Sequence, residues 1–264
     1  MKMAGGWRLL AADFLMSFMW VWSSVLNKIF VHRILGYGVH EFEGEIVRYA
    51  VSLLNMFLFT FMCKAARGGH YNPSPFCPPA ISGFGTHSFY ACSITHHWLA
   101  KLIHLIYVVL SFFQKVVGSI YGVRLILDTF PGIGRPRLTV DIAKGALTEG
   151  LLTFTIVIIS LGLSRKVTYS FFMNTWISSV SKLTLHILGS DLTGGCMNPA
   201  SVMGWAFANG EHITKEHLIV YWLAPIEGTL AAVWVFRILA GPKKDEAVAA
   251  KKDNTPQLKS EKFN

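Results

Sequence analysis

Charged residues are scarce in this chain. Only 15% of its 264 residues are Asp, Glu, Lys or Arg, whereas a soluble domain usually carries about 25%. This shortage excludes an ordinary water-soluble domain, because too few side chains remain to cover its surface. Hydrophobic residues make up 52% of the chain, and its mean hydropathy is +0.44. The composition therefore predicts a helical membrane protein with several spans.

Residues that carry chemistry are also few. The four cysteines lack the paired spacing of a zinc site or a disulfide framework; Cys77 and Cys92 would pair only if both reached an oxidising lumen. His96 and His97 have no further ligand at a useful spacing, so we predict no metal and no cofactor. The sequence contains no recognisable pairing of a nucleophile with a base, which argues against an enzyme.

The net charge of +9 does not indicate a nucleic-acid partner. Lys and Arg mostly flank apolar runs, as they do in membrane proteins. There is no Arg-rich recognition helix, nor are aromatic and basic residues interleaved. The lipid bilayer is therefore the expected partner, and nucleic acid is not.

Six apolar stretches could cross a bilayer, which requires about 20 residues per helix. These candidate spans are 9–31, 47–63, 102–127, 146–164, 169–189 and 217–239. The first is too long for a cleavable signal and lacks a small-residue cleavage site. The positions of Lys and Arg favour cytoplasmic termini. We predict a membrane domain over 1–240 and a disordered basic tail over 241–264.

The membrane domain is expected to contain two related halves, about 1–130 and 140–240. Residues 13–18 (Asp-Phe-Leu-Met-Ser-Phe) match residues 149–154 (Glu-Gly-Leu-Leu-Thr-Phe) in the order acid, three residues, hydroxyl, Phe. Each half has three spans, so the second half enters the membrane from the opposite side, which makes an inverted repeat.

Each half also contains an acid in its first span and an Asn-Pro pair after its second. Acids inside spans are costly and generally face the interior of the bundle. We expect Asp13 and Glu149 to accept hydrogen bonds from half-helix backbone, with proton transfer as the alternative. Asn is a favoured residue at a helix start, and Pro is tolerated directly after it.

Residues 194–200 (Gly-Gly-Cys-Met-Asn-Pro-Ala) resemble the second signature box of the aquaporin, or major intrinsic protein, family. Asn72-Pro73-Ser74 resembles a variant first box, and residues 147–237 resemble the plant small basic intrinsic proteins, second subgroup. The resemblance covers most of the chain. It implies an all-α channel of six transmembrane helices, with two re-entrant half-helices meeting at the midplane. The pore residues that it implies are Asn72, Pro73, Ser74, Asn198, Pro199 and Ala200.

Four more positions match the family's constriction by their spacing to the boxes: Ser52, His186, Gly195 and Ser201. Most water-selective members have Arg where this chain has Ser201. The resemblance therefore implies a passive channel for water or small neutral solutes with a wide, less selective mouth. A cation from a loop, or His186 charged at acid pH, is the alternative source of positive charge there.

The stretch after the first box departs from the family. Pro78 and Pro79 fall in what should be the second helical turn, where each would break the helix, so the first half-helix is in doubt. Residues 75–114 are either a genuine insertion or the product of a gene-prediction or splicing error. A non-conducting or weakly conducting scaffold, or a subunit of mixed oligomers, is the alternative function. The resemblance also implies homo- or hetero-tetramers in the endoplasmic-reticulum membrane.

Overall fold

Helices account for most of the chain that the structure describes. The computed structural model describes residues 4–39, 41–66, 72, 94–165 and 170–240, and these residues contain no β-strand. The elements, in chain order, are α1 (Ala4–Ile29) with a following π-helical turn (Phe30–Ile34), α2 (Phe42–Ala65), α3 (Ile94–Thr129), α4 (Ile142–Arg165), α5 (Phe171–Ser190), α6 (Pro199–Ala208), α7 (Lys215–Leu218), a second π-helical turn (Ile219–Leu223) and α8 (Ala224–Ala240).

Five described helical stretches are long and apolar enough to cross a membrane. They are Trp7–Ile34, Phe42–Ala65, Leu105–Thr129, Ile142–Arg165 and Lys215–Leu239. The predicted span 169–189 is also helical, as the 20-residue α5, but α5 is absent from this apolar group because it carries polar residues such as Lys182 and His186. The prediction of an all-helical membrane protein is thus confirmed, although apolarity alone identifies five of its six spans.

Several sequence predictions lie outside the described residues. They concern Pro73, Ser74, the helix-breaking Pro78 and Pro79, the pair Cys77 and Cys92, the side chains of His96 and His97, and the tail 241–264. The segment 75–114 is described only from Ile94 onward, where it is the first part of α3. The helix that contains the third span therefore begins before the predicted 102–127, while its apolar spanning stretch is Leu105–Thr129.

Polar side chains cap the starts of four helices. Asp141 Oδ1 accepts from Lys144 N at 2.9 Å before α4, and this backbone bond lowers the pKa of the Asp141 carboxyl. Ser170 caps α5, Asn198 caps α6 and Thr214 caps α7. Each cap provides an acceptor for a backbone N–H that has no partner inside its helix.

The same helix pairing occurs in both halves of the chain. α1 packs most extensively against α3, and α4 packs likewise against α8. Both contacts depend on glycine: a Cβ on Gly122 would lie 2.6 Å from Val21 Cγ2, and one on Gly228 would lie 3.1 Å from the carbonyl carbon of Gly150. Small residues allow membrane helices to approach this closely.

The short helix α6 is held against α3. A Cβ on Gly204 of α6 would lie 2.7 Å from the backbone oxygen of Ser119, and Trp205 packs in a buried cluster with Val21, Val123 and other apolar residues of α1 and α3. α6 therefore starts inside the bundle, among the long helices, and this places Asn198 in the interior.

Candidate functional site

The second Asn-Pro pair starts α6 from a buried position. Asn198 has extended backbone angles (φ −142°, ψ 92°), and its side chain accepts from Ser201 N at 3.4 Å. Pro199 follows at the beginning of the helix, where its missing N–H costs nothing. Ala200 is fully buried. The positive end of the α6 dipole is thus located inside the bundle.

Glu149 organises the loop that precedes α6. Its carboxylate is fully buried, and Oε1 accepts from Thr193 Oγ1 at 2.6 Å and from Cys196 N at 2.9 Å. Oε2 accepts from Met197 N at 2.8 Å. Met197 has a positive φ of 46°, which is unusual for a residue with a side chain. The carboxylate therefore holds the loop in a shape that its own residues disfavour.

The first Asn-Pro pair reaches this loop. Asn72 is buried, and its Nδ2 donates to the backbone oxygen of Met197 at 3.0 Å. Asn72 and Met197 are 125 residues apart in the chain. Their hydrogen bond brings Asn72 next to Asn198, the residue that follows Met197. The Nδ2 of Asn198 is buried and has no hydrogen-bond partner within the described part of the chain. This buried donor can bind a passing polar molecule.

Asp13, the counterpart of Glu149, has different described partners. Its Oδ2 accepts from Ser111 Oγ at 2.5 Å and lies 2.9 Å from Lys115 Nζ. Both partners are on α3, and both Asp13 and Lys115 are buried. Sequence reasoning expected backbone donors for both acids and missed Lys115, although a lysine in an apolar run is itself a signal of a buried pairing.

The four predicted constriction residues share one cavity. Ser52, His186, Gly195 and Ser201 all line a cavity of about 630 Å³, together with Asn198. They come from four different places in the chain, namely α2, α5, the loop before α6, and α6. Spacing to the signature boxes thus selected residues that the fold brings to one wall.

Hydrogen bonds fix two of these residues. Ser52 Oγ accepts from Asn27 Nδ2 at 2.7 Å and donates to the Arg48 backbone oxygen at 2.8 Å. His186 Nδ1 lies 3.1 Å from the Gly195 backbone oxygen. Since a carbonyl only accepts, Nδ1 carries the proton in this bond. The other ring nitrogen, Nε2, then remains as an acceptor when the imidazole is neutral.

Gly195 cannot be replaced easily in this arrangement. Its φ is +53°, in the region that favours glycine. A Cβ there would also lie 3.0 Å from the Cα of His186. The backbone of α5 therefore passes directly beside the loop, and the absence of a side chain at Gly195 keeps this part of the wall open.

The cavity wall carries cations that sequence reasoning did not place there. Lys28, Arg48, Arg135, Arg137 and Lys182 all line it. Among its described lining residues, Asp191 is the single acid. The sequence could have indicated three of these cations, because Lys28, Arg48 and Lys182 are charged residues inside predicted spans. The wall therefore contains positive charge despite the neutral Ser201.

Long apolar helices, a short helix that starts inside the bundle, and a polar cavity at that start together define a membrane channel of the aquaporin architecture. The sequence profile described as Major intrinsic protein matches residues 1–236. The chain belongs to the major intrinsic protein family. Membership makes it a multi-pass membrane channel protein and not an enzyme.

Curated relatives and a solved structure agree with this assignment. The chain is 50% identical over 254 residues to "Probable aquaporin SIP2-1" of Arabidopsis thaliana, covering 96% of this chain and 98% of that one. It is 41% identical to "Aquaporin SIP2-1" of Oryza sativa subsp. japonica, covering 91% of each. The X-ray structure of the aquaglyceroporin from Plasmodium falciparum matches 90% of this chain and 98% of its own with a TM-score of 0.62. At 15% identity, this last likeness concerns the fold.

Replacing Glu149 with Gln should lower the stability of the channel. The amide NH₂ can no longer accept from the loop, so at least one of the three donors loses its partner in a buried place. A buried unsatisfied donor costs about 1–3 kcal/mol. We expect a lower midpoint of thermal unfolding for the full chain in detergent micelles. Glu216→Gln, at an exposed glutamate, is the matched control, and an equal midpoint for both variants would contradict this role of Glu149.

Proposed function

We propose that this chain is a passive channel for water and other small neutral solutes, with a wide constriction that lacks the usual Arg. The observation that carries the proposal is the cavity of about 630 Å³. Its wall combines the four constriction positions with the buried amide of Asn198. A polar path next to a half-helix start is a suitable route for a small polar solute through an apolar bundle.

The half-helix supports passage of neutral molecules in particular. Asn198 Nδ2 is a buried donor without a partner among the described residues, so a water molecule can accept a hydrogen bond from it. The positive end of the α6 dipole favours the oxygen of that water and disfavours a cation. Water held in this orientation cannot act as a continuous hydrogen-bonded wire for protons.

Small side chains support a wide constriction. Ser52, Gly195 and Ser201 leave more room than larger residues would, and only His186 is bulky among the four. Ser52 is already bonded to Asn27 and Arg48, so its hydroxyl is held at the wall. We therefore propose that solutes of the size of glycerol pass as well as water.

Proteoliposomes containing the full chain test this proposal. We expect water and glycerol permeability above that of protein-free vesicles in stopped-flow light scattering. Ser201→Arg should lower glycerol permeability several-fold relative to that of water, because a long side chain narrows the mouth and adds a cation. Ser164→Arg adds the same side chain at an exposed end of α4 and should leave this ratio unchanged.

Two results would contradict the proposal in different ways. An equal ratio of glycerol to water permeability in Ser201→Arg and in the unaltered chain would contradict a constriction at Ser201. Permeability no higher than that of lipid for water, hydrogen peroxide and glycerol would contradict conduction as a whole. That second result would favour the alternative of a non-conducting scaffold or subunit of mixed oligomers.

The proposed assembly is a homo- or hetero-tetramer in the endoplasmic-reticulum membrane, with residues 241–264 as a cytoplasmic tail. The flanking cations support cytoplasmic termini, and the family resemblance supports the tetramer and the location in the endoplasmic-reticulum membrane.

In sealed microsomes, a tag after Asn264 should be digested by added protease, because the tail faces the outside of the vesicle. Protection of that tag would contradict the orientation, and a monomer in native mass spectrometry would contradict the tetramer.

A further inference from the structure

The loop between α3 and α4 forms part of the cavity wall. Four consecutive residues of this loop, 134–137 (Gly-Arg-Pro-Arg), line the cavity, and we call them the mouth arch. Consecutive spans run in opposite directions, so α1, α3 and α5 all end at the face of the bundle where this loop lies. Lys28 near the end of α1 and Asp191 after α5 also line the cavity. The mouth arch therefore lies where the cavity meets that face.

Side chains hold the mouth arch in place. No backbone–backbone hydrogen bond involves residues 133–138 within the described part of the chain. The next residue, Thr139, donates from its N to the Leu192 backbone oxygen at 3.0 Å. Ile133 and Leu138 flank the arch and pack against two separate buried apolar clusters. The ends of the arch are thus anchored, whereas its four residues depend on their own side-chain contacts.

An ion pair connects the mouth arch to the half-helix α6. Arg135 Nη1 donates to Glu211 Oε2, and Arg135 Nη2 donates to Glu211 Oε1 at 2.7 Å. Glu211 lies three residues after the end of α6, and its N donates to the Ala206 backbone oxygen at 2.8 Å. Exposed ion pairs usually contribute little, but a bidentate contact between arginine and a carboxylate is the favourable case. Arg135 is therefore held in a fixed orientation by the end of α6.

The other contacts of the mouth arch are weaker or apolar. Lys28 Nζ donates to the Gly134 backbone oxygen at 3.4 Å, which is long for a hydrogen bond. Pro136 lies against the loop that precedes α6, because a Cβ on Gly194 would lie 3.1 Å from Pro136 Cβ. The ion pair of Arg135 holds the residue next to this contact. Without the pair, the arch can move away from Gly194, and the cavity becomes wider at this face.

We propose that the ion pair between Arg135 and Glu211 limits the size of the solutes that enter the channel, by holding the mouth arch against the loop that precedes α6. The inference rests on the proposed function, since a size limit matters only in a conducting pore. It makes Arg135 and Glu211 positioning residues, which act on the solute through the arch. The width of the path is then determined at two levels, by small side chains inside the bundle and by this pair at its face.

Permeation of a larger polyol through proteoliposomes of the full chain tests this role. Erythritol is one carbon longer than glycerol, and stopped-flow light scattering gives its permeability relative to that of water. Arg135→Gln and Glu211→Gln each remove one charge of the pair. We expect either variant to raise the ratio of erythritol to water permeability about two- to five-fold, the range expected for the loss of a well-formed exposed ion pair.

The pair can also be rebuilt with its charges exchanged. The double variant Arg135→Glu with Glu211→Arg should return the ratio towards that of the unaltered chain, because the same two positions again carry opposite charges. The double variant Arg135→Gln with Glu211→Gln should raise the ratio no further than either single change, since both changes remove one interaction. Arg137→Gln is the matched control, because Arg137 also lines the cavity but belongs to none of the described ion pairs.

Trypsin cleavage after Arg137 gives a second readout that does not require conduction. Cleavage there needs the loop to leave the protein surface, and Pro136 prevents cleavage after Arg135. In detergent micelles, we expect Glu211→Gln to be cut about two- to five-fold faster than the unaltered chain. The charge-exchanged variant should be cut at nearly the original rate.

Two outcomes would overturn the inference while water permeation persisted. One is an unchanged cleavage rate in Glu211→Gln, which would show that the pair does not hold the arch. The other is faster cleavage with an unchanged ratio of erythritol to water permeability, which would show that the arch does not limit solute size. Absence of water permeation in the unaltered chain would instead overturn the proposed function, and the size limit with it.

Discussion

The hydrogen bonds of the buried Glu149 carboxylate are the interaction on which the channel interior depends. Removing a carboxylate from water costs several kcal/mol unless its oxygens are bonded. Here three donors from one short loop meet that need. Because two of them are backbone N–H groups, the carboxylate determines the loop's path. The positive φ of Met197, the position of Gly195 beside His186 and the start of α6 at Asn198 all follow from that path.

The two halves share a plan, and the described contacts of their buried acids differ. In the second half, an acid on the first helix binds the loop that leads into the half-helix. In the first half, the described partners of Asp13 are Ser111 and Lys115 of α3. An ion pair between α1 and α3 strengthens the contact that Gly122 already permits. Asn72 adds a polar contact between the halves, because its Nδ2 donates to the Met197 backbone oxygen.

Much of this organisation could be predicted from the sequence. Runs of apolar residues located the long helices, and an acid at one position in each half indicated a buried polar contact. Spacing to the Asn-Pro pairs selected four residues that share a cavity. The long helices could be predicted because apolarity and the cost of burying charge are local properties, readable from neighbouring residues, whereas the constriction positions stay a prediction that rests on the family resemblance.

Other features required the three-dimensional structure. Lys115 pairs with an acid 102 positions earlier, and no spacing rule connects the two. The cavity-lining cations come from α1, α2, α5 and a loop, and no spacing rule brings these separate segments to one cavity. Glu45 lies only three residues before its partner Arg48 on α2, so that pair could be read from the sequence, whereas the contact of Lys182 with the Trp20 ring joins α5 to α1.

The most direct test of this account is the distance between Asn72 Nδ2 and the Met197 backbone oxygen in an electron cryo-microscopy structure of the full chain in lipid nanodiscs. The account predicts a distance of about 3.0 Å. It also predicts that Met197 N donates to the Glu149 carboxylate and that the cavity beside Asn198 is open. An Asn72 side chain turned away from Met197, with a closed interior at Asn198, would contradict the claim that the two Asn-Pro pairs meet to form the channel.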